Sequence, residues 1–452
     1  MSSTNTPVSA ADAQHAAIGV GSKDVAYPTT HPEAQWFPKA GLGLFIHWGI
    51  ASVHGGLDLS WAMMANTGYD TGVDYQNKLS PEEYWKLADG FRAERYNPEP
   101  WIAAAAAAGC QYAVLTTMHH DGYTLWPTKY GELGVHTHLQ GRDLVGPYVE
   151  ACRKYGLKVG LYYSPPDWYF DRKYMSFNYG SNLPDRFPGR PAFDTKHQPV
   201  ELEPMPEEHI RRRKQWYLGR IEELLTRYGR VDLLWLDGGG RDTAVRDLAR
   251  SIQPHIVLNN RSCPGDYTHS ECRLPNARPA AWFETCHCWQ SSNVPSPHGG
   301  MVDFWGYLRF EQYKSTAWML ETLVRLRAWG GNLLINVGPR PDGELPPVVY
   351  QRLAETSMWM NHSRESVIGA EAGTWPEKCN VPMTRKGNRT YLHLLPDWTG
   401  TVEAQEMPQP TAVRLQRTGE PLTFEWTNQT LRLTVPDAMR TELVDVVTVE
   451  HA

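Results

Sequence analysis

Between residues 41 and 364, short and almost wholly apolar runs alternate with longer segments of helical texture. The runs 41–48, 112–117, 158–164, 231–237, 255–261, 282–286 and 332–337 predict strands. Segments 81–91, 99–108, 146–155, 207–228, 242–252, 310–329 and 347–364 predict helices. A strand that is apolar at every position is covered on both faces, and strand–helix alternation makes the sheet parallel. Seven or eight such units in about 330 residues favour an α/β fold of the (β/α)8-like, TIM-type barrel class over an open sheet. From about residue 373 the period shortens. Alternating runs at 391–395, 411–415, 422–426, 431–435 and 443–449, set between Gly, Pro and Asn turns, predict a small C-terminal antiparallel β-sandwich. The expected organisation is a flexible leader over 1–34, a catalytic barrel over 35–370 and the sandwich over 371–452.

In a barrel of this kind the chemistry gathers where strands end. The polar residues of this chain do so. The first strand ends in His47-Trp48, and the second leads into His119-His120-Asp121. The fourth ends in Asp237, the fifth in Asn259-Asn260-Arg261, and the sixth carries Glu284. Asp237 follows the apolar run VDLLWL and precedes Gly238-Gly239-Gly240, which admit a close approach of substrate. It reads as a nucleophile or as the cap of the next helix. Glu284 lies among Trp282, Phe283 and Cys286, and an apolar surround keeps a carboxyl protonated for use as a general acid. It reads as that acid or as a structural partner of a barrel arginine. An Asp and a Glu flanking one bond is the glycosidase arrangement. His47, His119 and His120 suit sugar hydroxyls, a metal or the core. Adjacent histidines on an extended segment face opposite ways, which argues against a shared ion. Cys286-His287-Cys288 is too tight for a zinc knuckle.

Composition narrows the partners. The chain has 452 residues, 41% hydrophobic, with net charge −6 and no basic face, so neither nucleic acid nor an anionic membrane is expected. Its 18 Trp and 22 Tyr against 11 Phe supply flat faces with polar edges, which suit sugars, although composition alone favours a large aromatic core. Trp48, Trp61, Trp126, Trp168, Trp289 and Trp305 lie beside candidate loops. Seven cysteines at irregular spacing make no disulfide framework, and Cys110 and Cys152 read as inert core thiols. Residues 1–20 lack the pattern of a secretory signal, and no apolar run approaches a membrane span, so a cytoplasmic location is expected.

Six blocks in order resemble the α-L-fucosidases of glycoside hydrolase family 29. They are WFPKAGLGLFIHWG (36–49), YAVLTTMHHDGYTLWPTKY (112–130), RDLVGPYVEACRKYGLKVGLYYSPPDWY (142–169), YGRVDLLWLDG (228–238), WFETC with WGY (282–286, 305–307) and GGNLLINVGPRPDGELP (330–346). The resemblance implies a barrel with a β-sandwich, no metal or other cofactor, a fucosylated glycan as substrate and retention of configuration. It makes Asp237 the nucleophile. It makes His47, His119, His120, Tyr162 or Tyr163, and Arg261 sugar-site residues, beside Trp48, Trp61 and Trp305. Glu284 fits the family's Trp-Glu-Thr-Cys acid/base with one inserted residue, Phe283, and Glu271 in the preceding loop is its rival. Ser60 stands where many members carry Glu. The expected function is an exo-acting, retaining α-L-fucosidase. The alternatives are a glycan-binding pseudoenzyme and an α-L-galactosidase of the same fold.

Overall fold

The structure is a computed structural model that describes residues 26–66, 78–178, 189–238, 242–295, 301–310 and 312–452. Eight strands form one all-parallel sheet. In chain order they are β1 (Leu42–Ile46), β2 (Tyr112–Met118), β3 (Lys158–Tyr163), β4 (Leu233–Leu236), β5 (Val257–Leu258), β6 (Thr268–Glu271), β7 (Phe283–Cys288) and β8 (Asn332–Val337). They lie side by side in the order β5-β4-β3-β2-β1-β8-β7-β6. The two outer strands meet through a single parallel bridge between Asn259 and Tyr267, which curls the sheet into a barrel. The long helices are α1 (Glu99–Ala107), α2 (Val145–Lys154), α3 (Glu207–Arg227), α4 (Thr243–Ile252), α5 (Thr316–Ala328) and α6 (Pro347–Ser363). Among the described residues no helix follows β5 or β6, so the barrel is (β/α)8-like rather than regular.

Side-chain parity explains why the strand runs are apolar throughout. Leu42, Leu44 and Ile46, with Leu333, Ile335 and Val337, pack outward in a large core shared with the helices. Phe45, Val114, Tyr162, Trp235, Cys286 and Leu334 pack inward in a second core. Each fully buried Leu or Ile contributes roughly 1.5–3 kcal/mol, so both faces demand apolar residues. Gly43 is required inside: a Cβ there would lie 2.4 Å from the Tyr112 ring.

The leader expected at 1–34 is firmly attached over its described part, 26–34. Thr29 donates its backbone N–H to Asp266 at 2.8 Å, and Ala34 is fully buried in the inner core. Phe37 follows and seals the floor, with its ring 4.3 Å from Tyr267 and 6.0 Å from Trp282. An apolar barrel floor needs a cover, and this segment supplies it. The rest of that expectation, 1–25, lies outside the described residues.

Beyond the barrel, a five-stranded antiparallel sheet (Glu371–Ala372, Met383–Lys386, Arg389–Leu394, Asp445–His451, Pro410–Leu415) faces a three-stranded one (Val402–Ala404, Thr430–Leu433, Phe424–Thr427). A separate core lies between them. Among the described residues, no helix is long and apolar enough to cross a membrane.

Candidate active site

Asp237 directly follows β4 at its C-terminal end and is 9% exposed. Its Oδ1 accepts from Arg261 Nη2 at 2.6 Å, and its Oδ2 accepts from the Tyr162 hydroxyl at 2.6 Å. Burial alone would raise its pKa. The Arg261 guanidinium, His120, His119 and the Tyr162 hydroxyl together outweigh that, Arg261 the most, and hold the carboxyl far below the usual carboxylate range. The next helix is capped by Asp242, whose side chain accepts from Ala244 N–H, so Asp237 is left for other work. Gly238, at φ +71°, turns the chain close to His120; Gly239 and Gly240 lie outside the described residues.

Arg261 has a second carboxylate. Its Nη1 donates to Glu271 Oε1 and lies 3.0 Å from His269 Nε2. Glu271 is the last residue of β6, and thus also at a strand end. One guanidinium therefore holds Asp237 on one arm and Glu271 on the other. Its carbon sits 4.8 Å over the Trp235 ring, which also stacks on Tyr162 at 5.4 Å.

Glu284 is elsewhere. The sequence places it at a strand end, but β7 runs on to Cys288, and Glu284 is only its second residue. In register, Glu271 pairs with Cys286 and His269 with Glu284. Glu284 thus sits two residues, or about 6.6 Å, deeper than Glu271. It is 0% exposed and accepts from Tyr112 hydroxyl at 2.5 Å and Trp235 Nε1 at 3.0 Å. Burial pushes its carboxyl up to about 7 against these bonds. A group sealed in the barrel floor cannot reach a glycosidic oxygen, and the structure does not bring it to the site.

The histidines converge instead of facing opposite ways. The β2–β3 register shifts between Thr116 and Met118, and β2 ends at Met118, so His119 and His120 follow in a turn with rings 4.5 Å apart. His120 Nε2 is 3.7 Å from Asp237 Oδ2, and its ring stacks on Trp168. His119 stacks on Tyr162 at 5.7 Å, and its Nδ1 is 2.6 Å from Ser60 Oγ. His47 follows β1 with Nδ1 2.7 Å from Asn336 Oδ1, under the Trp305 ring at 5.1 Å. Burial holds all three imidazoles neutral, with His47 pushed down to about 4. His119, His120 and Asp237 each bring a ligand atom within 4.8 Å of the others. A cation there would stand beside Arg261, which already neutralises Asp237, and would meet its repulsion.

The family model described as α-L-fucosidase matches residues 10–365, well over half of the chain.

The chain belongs to the α-L-fucosidase family.

The rat tissue α-L-fucosidase (Rattus norvegicus) is 27% identical over 438 residues, covering 89% of this chain and 85% of that protein. Among solved structures, α-L-fucosidase isoenzyme 1 from Paenibacillus thiaminolyticus superposes with TM-score 0.74 at 26% identity, over 93% of this chain and 98% of that one. The Thermotoga maritima α-fucosidase in complex with a mechanism-based inhibitor gives TM-score 0.71 at 27% identity, over 94% and 100%. This is a glycoside hydrolase family, and the barrel-plus-sandwich architecture is the one this fucosidase-family chain shares with them.

Among the other expected site residues, Tyr162 faces inward and Tyr163 outward, so only Tyr162 meets Asp237. Trp61 packs edge-on against His120 at 5.8 Å. Trp48 is a correction: one residue past His47, its side chain points to the outer core, stacks on Tyr96 at 4.8 Å and donates to Arg340 carbonyl. Ser164, Asn336, Trp235 and His269 complete the site and were not singled out from the sequence. Ser164 and Trp235 share strand parity with Tyr162 and Asp237, which is the signal that finds them.

Proposed function

We propose that this protein removes terminal α-L-fucosyl units from fucosylated glycans by double displacement with retention, using Asp237 as nucleophile and Glu271 as acid/base. The observation that carries the reading is the pair of strand-end carboxyls on the two arms of Arg261. A retaining pair needs its carboxyls roughly 5–5.5 Å apart, and both of these bond one guanidinium. Asp237 is ionised and attacks the anomeric carbon. Glu271, protonated and off the Arg261 pair when substrate is bound, delivers that proton to the leaving oxygen as the bond to the aglycone breaks. Water then donates a proton to Glu271 and opens the fucosyl ester, returning both carboxyls to their starting state. His47, His119, His120 and Trp305 surround the position the ring would take. Glu284 has a structural part in this scheme, through Trp235.

The test is hydrolysis of an aryl α-L-fucoside by the parent, Asp237→Ala, Glu271→Ala and Glu284→Gln. Asp237→Ala should abolish turnover. Glu271→Ala should lose about 10²–10⁴-fold on poor leaving groups, and azide should restore turnover as an α-fucosyl azide, the configuration that two displacements retain. Azide rescue at Glu284 and none at Glu271 would overturn the acid/base role. An inactive parent on aryl and natural fucosides would leave a glycan-binding protein.

A further inference from the structure

Ser164 is fully buried at the top of β3, between His120 and the nucleophile. Its hydroxyl has one hydrogen, for which the Asp237 backbone carbonyl at 3.2 Å is an acceptor. It is also bonded to His120 Nδ1; with its hydrogen on the carbonyl the hydroxyl accepts there, which places the imidazole hydrogen on Nδ1, whereas the opposite tautomer would draw the hydroxyl hydrogen to Nδ1. The other ring nitrogen agrees. His120 Nε2 stands 3.7 Å from Asp237 Oδ2, outside the 2.7–3.2 Å of an N–H···O bond. Trp168 stacked on the ring at 4.9 Å and Trp61 against its edge at 5.8 Å fix its orientation. The same logic holds across the cleft. Asn336 donates its Nδ2 to the Trp305 carbonyl at 2.9 Å, which turns Oδ1 toward His47 and makes His47 Nδ1 the donor at 2.7 Å. Among the described residues neither His47 Nε2 nor His120 Nε2 donates to a protein group.

We propose that Ser164 is a positioning residue that locks His120 in its Nδ1–H tautomer, so that Nε2 offers a lone pair to a sugar hydroxyl and adds no second donor to Asp237 Oδ2 beside the Tyr162 hydroxyl. Asn336 sets the same tautomer at His47, so both imidazoles read substrate hydroxyls as hydrogen donors. A hydrogen on His120 Nε2 would instead face Oδ2 as a second donor and compete with the anomeric carbon for its electrons. The identity of the hydroxyls rests on the fucosidase reading; the tautomers do not.

The experiment is long-range ¹H–¹⁵N correlation NMR of ¹⁵N-histidine-labelled protein near pH 7.5, with His120→Gln and His47→Gln assigning two of the 17 histidines. The expected result is a protonated Nδ1 at both. Ser164→Ala should move the His120 signals to the Nε2–H pattern and lower kcat on an aryl α-L-fucoside about tenfold, the size of one misplaced hydrogen bond, with a smaller change in KM. Protonated Nε2 at His120 in the parent would overturn the proposal, as would Ser164→Ala with the parent's tautomer and the parent's kcat. The signals are read in the free protein, so they stand or fall separately from its activity.

Discussion

At the scale of single residues, the site is a set of charges kept in one state by their neighbours. Asp237 is ionised because Arg261 and the other groups around it together overcome its burial, and the three histidines are neutral because burial overcomes everything near them. This has a direct pH consequence. An imidazole whose folded pKa lies below its unfolded value of 6.5 stays uncharged as pH falls through 6.5. His47 gains a proton only near 4. The profile of kcat/KM should therefore show no acid limb between pH 6.5 and about 5 from His47 and none at 6.5 from the other two, and a limb near 6.5 in a stopped assay would show that one of them titrates normally. Stability runs the other way: the unfolded chain binds protons at these histidines below 6.5, so the native state loses stability from there downward. The residues that carry this behaviour were legible because each ends an apolar strand. The serine and asparagine behind the histidines were not, because Ser and Asn are common in any sequence and only a known strand face gives them direction.

At the scale of elements, strand ends decide what a residue can do. The run WFETC has the texture of a strand that stops at Cys286, which would set Glu284 near the rim. The ladder continues through Cys288, and that extension buries Glu284. The strand that does carry a rim carboxylate, Thr268–Glu271, reads THSE and has no apolar run to mark it. It exists because its inward residues, His269 and Glu271, are engaged by Arg261. Similarly β5 is shorter than its apolar run, since the Asn259 side chain bonds both Leu236 N–H and Leu236 carbonyl in place of further ladder. Glu284 offers a measurement at this scale. Its folded pKa of about 7 exceeds the unfolded 4.5, so between those values the unfolded chain sheds a proton that the native state keeps, and stability falls as pH rises. The whole effect is about 3 kcal/mol. Glu284→Gln should flatten the dependence of Tm on pH between 4.5 and 7, and a parallel slope in parent and variant would show that Glu284 ionises normally.

At the scale of the whole molecule, the barrel and sandwich were visible in the change of hydrophobic period near residue 373, because parallel strands must be apolar on both faces and sandwich strands on one. The closure of the barrel was not visible. It depends on one bridge between Asn259 and Tyr267 and on a floor sealed by residues that precede the first strand. Phe37 is fully buried there among Tyr112, Tyr267 and Trp282. Phe37→Ala should cost about 3–5 kcal/mol in urea unfolding while leaving the shape of the pH–rate profile unchanged, since the cavity opens at the end of the barrel away from Asp237. A loss under 1 kcal/mol would mean that the floor collapses onto the gap.

The same plug orders events during synthesis. The Phe37 carbonyl accepts from Asn332 Nδ2 at 2.7 Å, a partner 295 positions later, and Gly41 N–H donates to Asn332 Oδ1 at 2.8 Å. β1 lies between β2 and β8, so every nascent chain that stops short of residue 332 carries one bare edge on its first strand. The ribosome thus releases most of the catalytic domain before its floor and its first strand have their last partners. The half-built sheet must be kept from pairing with other chains until that segment emerges.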